Sequence, residues 1–397
     1  MYLGKQLVSA TNTAKLLNAA VSMSTNAVGK MNSFGVRAAK VSYPSGDPNF
    51  SVMQAFPSGF TAEESDPFLM LDDFGPEVAK APVSEDTPDI FPLGWHPHRG
   101  MSVITYMTRG VGRHGDSMGN RESFEAPGMQ WVTAGSGIEH AEGGGTPLGE
   151  WMQGFQIWVN LPAKHKMADP VYGTEPPGSL PLLKFGKDGV DGSARLLAGP
   201  MNGQMGPLKT QARIQMVDFV LPVIEGHKAV DHILPPGLDN VLIYVYSGSA
   251  RINGELVPDK HVIRLEPTEA SRTLTLQAAD DAPEVTTDTG FGTGHAVKML
   301  LFAGKKLNEP IAWHGPIVMN TQNELRTAFR EYHEGTFLKK RFPGDYKSKA
   351  EIDRITAELK AKGTADEGGA KEKTPEEKVK DNTKINAGVT QCAVDAK

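Results

Sequence analysis

The first half of the chain alternates short apolar runs with turns that are rich in glycine and proline. Strand-forming residues fill 68–71, 103–108, 130–133 and 155–161, and the last of these runs alternates apolar and polar side chains. Beta-branched and aromatic residues favour strands, and short strands at spacings of roughly 8–12 residues are typical of barrels and sandwiches. The pattern therefore predicts an all-β domain.

A second group of predicted strands fills the other half of the chain. Its members are residues 213–221, 240–246, 250–252, 262–265, 272–276 and 296–302. Gly248 and the pair Asn253-Gly254 stand where hairpins need residues that tolerate a left-handed backbone. Residues 162–182 hold several prolines, which indicates a connector. We therefore predict two tandem β-barrels, over 41–175 and 176–345.

Helical periodicity appears only near the C-terminus. Residues 323–333 carry apolar side chains at helical spacing, directly after an Asn-Thr pair that suits a helix cap. A second apolar stripe begins at Ile352 and ends at Leu359. Beyond Gly363 the chain is rich in Lys, Glu and Ala and has few large apolar residues. We predict short helices followed by disorder, with 346–397 forming a charged tail.

The first 40 residues contain no Asp or Glu and are rich in Ser, Ala, Asn and Thr. They also lack the apolar core of a secretory signal. This composition is typical of an organellar transit peptide, and the single Arg in the segment also fits a disordered tail. We expect residues 1–40 to be a leader of one of these two kinds. The protein would then act in an organelle, or in the cytoplasm and nucleus.

The charge and the cysteine content of the 397-residue chain exclude several classes of protein. A net charge of −6 gives no basic surface for direct binding of nucleic acid. The single cysteine, Cys392, excludes an intramolecular disulfide and a zinc site built on cysteines. No apolar run approaches the roughly 20 residues that span a bilayer. We therefore expect an intracellular protein that binds neither nucleic acid nor membrane directly.

Two pairs of residues that can bind a metal stand at the ends of one stretch. His96 and His98 form the first pair, and His140 and Glu142 form the second. Side chains two residues apart in a strand point to the same face, so two opposed strands would bring these four together. One such pair alone also occurs on polar strand faces. Histidines with a carboxylate and open positions are typical of non-haem Fe(II) oxygenases, so the two pairs predict an exchangeable transition-metal site.

Other histidines and aromatic residues suit structural roles better than functional ones. His114 lies in a glycine-rich turn and is expected to face solvent rather than to bind a metal, with a place beside the ligands or in the pocket as the alternative. His227, His232 and His261 have no ligand partner two residues away, which predicts a second barrel without metal. Bulky side chains fill barrel interiors. Four are therefore assigned to the core, with a platform for a substrate as the alternative: Trp131, Trp151, Phe155 and Trp158.

Several motifs together resemble those of the pirin family in the cupin superfamily. They are DPFLMLDDF at 66–74, GWHPHRG at 94–100, QWVTAGSGIEHAE at 130–142, QIWVNL at 156–161 and GPIVMNT at 315–321. The motifs occur in the family's order, and the resemblance covers roughly residues 41–340.

The resemblance implies a bicupin, with two tandem β-barrels or jelly rolls of which only the N-terminal one binds metal. The implied ligands are His96, His98, His140 and Glu142. Iron, as Fe(II), is the metal that the family implies. Manganese, nickel, copper, zinc and cobalt are the alternatives.

Two roles follow from the resemblance. The first is a quercetinase-like dioxygenase that opens flavonols with O2, in which Glu142 is a ligand or takes the proton of the substrate's 3-hydroxyl. The second is an iron-dependent, redox-sensing regulator that binds transcription-related protein partners. A flavonoid-like small molecule with O2, or a protein, is thus the expected partner of a monomeric chain.

One departure from the family pattern lies beside the first ligand pair. After His-Pro-His-Arg-Gly the family usually has Phe-Glu-Thr, whereas this chain has Met101-Ser102-Val103. The resemblance therefore implies metal binding more directly than it implies oxidation of a substrate.

Overall fold

A computed structural model describes residues 32–42, 51–79, 91–223, 228–279, 284–285 and 294–366. The regular structure of these residues is mostly β-strand, which confirms the all-β prediction. No helix in this part of the chain is long and apolar enough to cross a membrane.

The strands follow one another in short segments along the whole described chain. The first twelve are β1 Asn32–Arg37, β2 Ala39–Ser42, β3 Ser51–Phe56, β4 Phe68–Val78, β5 Leu93–His98, β6 Met101–Arg109, β7 Val111–Asp116, β8 Arg121–Glu125, β9 Gly128–Thr133, β10 Ile138–Glu142, β11 Trp151–Asn160 and β12 Val171–Glu175. The others are β13 Leu182–Phe185, β14 Gly192–Met201, β15 Gln204–Pro207, β16 Ile214–Pro222, β17 Val230–Ile233, β18 Asn240–Ser247, β19 Ala250–Ile252, β20 Glu255–Val257, β21 His261–Glu266, β22 Thr273–Ala278, β23 Glu284–Val285, β24 Gly294–Gly304, β25 Ala312–His314 and β26 Ile317–Met319.

Helices are few and short. They are α1 Ala62–Ser65, α2 Gln322–His333, α3 Lys349–Asp366 and two 3-10 turns, Ala163–His165 and Lys187–Gly189. Thr321 caps α2 in a capping box with Glu324, so the predicted C-terminal helix and its cap are confirmed. The helix α3 belongs to a separate unit that begins at Ser348. It continues past Gly363, where disorder was predicted, because the flanking Ala and Lys are strong helix formers.

The first barrel is built from two antiparallel sheets. Seven strands form the larger sheet in the order β12-β9-β6-β11-β4-β3-β2, and four form the smaller sheet in the order β5-β10-β7-β8. Every residue of β6 from Met101 to Met107 is buried. Because this sheet is covered on both faces, its strands have near-continuous apolar runs instead of a clean alternation.

The second barrel repeats this plan with a larger and a smaller sheet. The larger sheet has the order β1-β21-β18-β24-β16-β14-β13, with β15 beside β14 and β23 beside β24. The smaller sheet has the order β17-β22-β19-β20. Asn253 and Gly254 join β19 to β20 and both have positive φ, as the predicted hairpin requires.

The large sheets of the two barrels pack against each other through an apolar core that contains buried polar contacts. Phe302 of the second barrel packs edge-on against Phe56 and Phe68 of the first. The Tyr106 hydroxyl donates to Asp218 across this interface at 2.7 Å. The Tyr244 hydroxyl donates to Asp73 in the opposite direction at 2.9 Å. These contacts join the two barrels directly.

After the second barrel the chain returns to the first. This return segment, residues 312–347, contains the β25–β26 hairpin and α2. Ile317 forms a parallel bridge to Arg99, one residue after His98. Gly100 has a φ of +81°, and a Cβ added to it would lie 1.9 Å from the Val318 carbonyl oxygen. Only glycine fits this position, which explains the Gly in the His-Pro-His-Arg-Gly motif.

Two parts of the chain differ from the sequence-based expectation. Residues 32–37 and 39–40, which were assigned to the leader, lie in strands, and β1 pairs with β21 of the second barrel. Residues 1–31 of the leader lie outside the described residues. The predicted connector over 162–182 contains β12, which completes the first barrel beside β9. All of its prolines lie outside β12, so they do not interrupt the pairing of this strand with β9.

Candidate metal centre

The strands β5 and β10 bring the two ligand pairs together, as the two-residue spacing predicts. The two strands pair antiparallel, and His96 lies opposite His140. Pro97 is tolerated between the two histidines because β5 is the edge strand of its sheet. A shift of register after His140 moves Glu142 opposite Leu93.

His96, His98 and His140 form a compact group of three imidazoles. One potential ligand atom of each lies within 4.8 Å of the others. The Nε2 atoms of His96 and His140 are 3.0 Å apart. His98 and His140 are buried, whereas His96 is half-exposed, so the group meets solvent on the His96 side.

The chemistry of this group fits a divalent transition metal. Neither ring nitrogen of His98 has a hydrogen-bond partner, and Nδ1 of His140 has none, although these atoms are buried. Buried polar atoms are normally satisfied, so these partnerless nitrogens within a compact group of imidazoles indicate a missing partner. Neutral imidazole nitrogens are suitable ligands for such an ion. The first barrel therefore carries a His/Glu site of the kind that binds a divalent metal.

Burial keeps the imidazoles of His98 and His140 in the neutral, ligating form. It lowers the pKa of His98 well below the usual value, and the neighbouring His96 lowers it further. Burial also lowers the pKa of His140 well below the usual value, with further lowering from the neighbouring histidines. A neutral ring keeps one nitrogen lone pair available for a metal.

Glu142 is held by polar side chains from three strands of the large sheet. Its Oε2 accepts hydrogen bonds from the Thr105 hydroxyl at 3.1 Å and the Gln130 amide at 3.0 Å. Its Oε1 accepts a hydrogen bond from the Gln156 amide. In the described residues Glu142 groups with His140 and His114 rather than with His96 and His98. The four predicted ligands thus fall into two overlapping groups that share His140.

The prediction that His114 faces solvent is wrong. Its side chain is fully buried, and its Nε2 lies 3.0 Å from the Asp116 carboxylate. The glycines around it suggested a turn, but residues 111–116 form β7, where His114 lies opposite Glu142. Glycines in this strand allow close approach of neighbouring side chains: a Cβ on Gly112 would clash with the Phe124 ring.

Ser102, the departure from the family motif, lies on the other face of its strand from the metal centre. It is three residues from Thr105, which points at Glu142, so its side chain points away from the barrel interior. Its hydroxyl lies 3.1 Å from the hydroxyl of Thr133 on the neighbouring strand. The replacement at position 102 therefore changes a contact outside the centre.

The remaining candidates divide between core and surface. Trp131 and Phe155 are buried, as predicted, but Trp151 is 47% exposed at the start of β11, so its assignment to the core is wrong. Trp158 is half-buried, and its ring meets the His98 ring edge-on at 5.2 Å. In the second barrel, His232 is buried and its Nε2 lies 2.8 Å from the Gln215 side chain. His227 lies outside the described residues.

Several residues that support the centre were not singled out in the sequence. Gln130 and Gln156 each lie between two large apolar residues of their strand, and that placement is the signal that could have revealed them. Lys166 is buried after β11, and its Nζ donates to the carbonyls of Gly100 and Val318 and to the side chain of Asn160. No local pattern in the sequence reveals these contacts, because Gly100 and Val318 come from distant segments.

Two packed β-barrels with a three-histidine group and a nearby glutamate inside one of them define the cupin class of metal-binding folds. Residues 49–159 match the family model described as Pirin, and residues 224–338 match the Pirin C-terminal cupin domain. The chain therefore belongs to the pirin family.

Individual relatives agree with this assignment. The chain is 35% identical over 284 residues to a Pseudomonas aeruginosa protein named provisionally as a quercetin 2,3-dioxygenase. The aligned region covers 70% of this chain and 88% of the relative. The chain is 33% identical over 275 residues to a pirin-like protein of Solanum lycopersicum, covering 68% and 81%. Its structure resembles that of quercetin 2,3-dioxygenase from Acinetobacter baumannii, with a TM-score of 0.64, 25% identity, and coverage of 77% and 96%.

Proposed function

We propose that this pirin-family protein is an iron-dependent dioxygenase of the quercetinase type, with His96, His98, His140 and Glu142 as the metal ligands. The observation that carries the proposal is the half-exposed edge of a group of imidazoles that is otherwise buried. Such a group supports a metal that keeps positions open to a small molecule. The quercetin 2,3-dioxygenase names of similar proteins supply the substrate class, a flavonol with O2.

Aromatic side chains beside His98 suit a planar substrate. The half-buried Trp158 packs against His98, and Trp313 lies 6.2 Å from Trp158 between ring centroids. The indole Nε1 of Trp158 is buried without a hydrogen-bond partner among the described residues. A flavonol oxygen would satisfy that donor, and the two indole rings would orient the flat ring system.

When its carboxylate is not bound to the metal, Glu142 is the group that takes the proton of the flavonol 3-hydroxyl. Thr105, Gln130 and Gln156 fix its carboxylate, and a carboxylate has lone-pair sites beyond those that three donors occupy. Iron, when bound, supplies Lewis acidity and electrons for O2. In the overall reaction both atoms of O2 enter the opened product, and ring carbon 3 leaves as carbon monoxide.

Aerobic incubation of the Fe(II)-loaded protein with quercetin tests this function. We expect loss of flavonol absorbance well above the metal-only blank. Glu142→Gln should lower kcat by about 100-fold, because the amide cannot accept the proton. The metal content of this variant is measured in parallel, so that loss of a base is separated from loss of iron.

His232→Ala, which removes a buried histidine from the second barrel, is the matched control and should keep the wild-type rate. Iron-loaded wild-type protein with no turnover above the blank would contradict the proposal. That result would favour a redox-sensing regulator that uses the same metal centre and binds protein partners.

A further inference from the structure

We propose that His114 is a metal ligand, and that His114, His140 and Glu142 form a second metal position in the first barrel. All three side chains are buried, and one potential ligand atom of each lies within 4.8 Å of the others. This position shares His140 and Glu142 with the proposed iron site but uses neither His96 nor His98. It can be tested by metal binding alone, whatever the outcome of the flavonol assay.

Asp116 orients His114 in the way that carboxylates orient metal-binding histidines. The carboxylate accepts hydrogen bonds from the backbone N–H groups of Met118 and Asn120 at 2.9 and 3.1 Å, and from the Asn120 side chain at 2.7 Å. The Asp116 carboxylate thus accepts hydrogen bonds from all of these groups. We infer that it also accepts one from His114, so that Nε2 of His114 carries the ring proton. A carboxylate on the far nitrogen fixes the tautomer and the ring orientation of a ligating histidine.

This orientation leaves Nδ1 of His114 as a buried lone pair. The atom has no hydrogen-bond partner among the described residues. The ring lies flat against Tyr172, with a centroid distance of 4.4 Å and an interplanar angle of 14°. Stacking fixes the plane of the imidazole and leaves both nitrogens at its edge, where one is held by Asp116 and the other is available to a metal.

His140 can serve either position, but only one at a time. A neutral imidazole has one protonated nitrogen and one lone pair. When Nε2 of His140 donates to His96, which is 3.0 Å away, the lone pair is on its partnerless Nδ1. When Nε2 binds a metal with His96 and His98, Nδ1 carries the proton. The two positions are therefore alternatives, and the wild-type chain binds one ion.

Titration of full-length apo-protein with Co(II), followed by its d–d absorption, tests the second position. The His96→Ala/His98→Ala variant should still bind one Co(II) per chain, with a spectrum different from that of the wild type. Adding His114→Ala should weaken this binding by about 10-fold to 100-fold or more. Asp116→Asn in the same double variant should weaken it in the same range, because an amide donor facing Nε2 places the proton on Nδ1.

Adding His232→Ala instead of His114→Ala is the matched control, since it removes a buried histidine outside the first barrel and should leave Co(II) binding unchanged. Circular dichroism verifies that each variant is folded. The proposal is overturned if the folded His96→Ala/His98→Ala variant binds no Co(II). It is also overturned if neither His114→Ala nor Asp116→Asn changes the residual affinity.

Discussion

At the scale of single residues, the support of Glu142 is the feature that distinguishes this centre from a chance cluster of histidines. The Thr105 hydroxyl oxygen lies 2.7–3.1 Å from side-chain oxygen or nitrogen atoms of three residues: Glu142, Gln130 and Gln156. One hydroxyl thus connects all members of a buried polar cluster. Hydrogen bonds that share members in this way strengthen one another in a buried site and hold the Glu142 carboxylate in one orientation.

Thr105→Val replaces this hydroxyl with a methyl group of the same shape. We expect the affinity for Fe(II) or Co(II) to fall by about 10-fold to 100-fold, because Glu142 and Gln130 each lose a partner. Competition with a chelator measures the change. Thr174→Val, which makes the same substitution near the surface of the first barrel, should leave the affinity unchanged. Equal affinities of wild type and Thr105→Val would show that the polar cluster does not support the ligands.

The ligand pairs could be predicted from the sequence because their geometry is local. The two-residue spacing of His96 and His98 places both side chains on one strand face, and the same holds for His140 and Glu142. His114 could not be recognised in this way. Its importance depends on which residue lies opposite it in the neighbouring strand, and register between strands is not a local property.

At the scale of elements, Lys166 connects three segments that surround the centre. Its ammonium group donates to Gly100 after β5, to Asn160 at the end of β11 and to Val318 in β26. Burial lowers the pKa of Lys166 to about 8, although Glu309, Glu324 and Asp66 act in the opposite direction. The lysine therefore holds the end of β5 in place at the cost of burying a charge.

The stability difference between wild type and Lys166→Met should depend on pH. The folded protein releases the Lys166 proton near pH 8, whereas the unfolded chain keeps it until about pH 10.5. Between these values the unfolded state binds more protons, so the free energy of unfolding of the wild type rises relative to that of Lys166→Met. The rise is up to about 3 kcal/mol, since each pKa unit corresponds to about 1.4 kcal/mol.

Urea unfolding at several pH values measures this rise. Lys164→Met, at an exposed position just before Lys166, is the control and should give a difference from the wild type that is constant with pH. A flat difference for Lys166→Met across pH 8–10.5 would contradict the lowered pKa of Lys166 in the folded protein.

Helices and strands with a strong local pattern could be predicted from the sequence. The elements against which they pack or pair could not. The helix α2 was predicted from its apolar spacing and its cap, both of which lie within a few residues of each other. The packing of α2 against the first barrel depends on contacts such as the hydrogen bond between Tyr332 and Glu139, two residues that lie far apart in the sequence. Likewise β12, in a proline-rich segment, becomes a strand because β9 offers it an edge.

At the scale of the whole molecule, two barrels of similar plan differ in their chemistry. Both donor groups that we identify in the described residues lie in the first barrel. In the second barrel, the buried His232 contacts Gln215, and burial lowers its pKa to about 4. The sequence predicted the duplicated barrels from two sets of short strands. It did not predict that β1, at the edge of the leader, would join the sheet of the second barrel.

The most direct test of the account is the metal content of the purified full-length protein compared with that of His140→Ala. His140 belongs to both donor groups, so its removal impairs both at once. Elemental analysis should find about one divalent ion per chain in the wild type and in His232→Ala, and none in folded His140→Ala. Retention of the wild-type metal by His140→Ala, or its loss from His232→Ala, would contradict a metal centre in the first barrel.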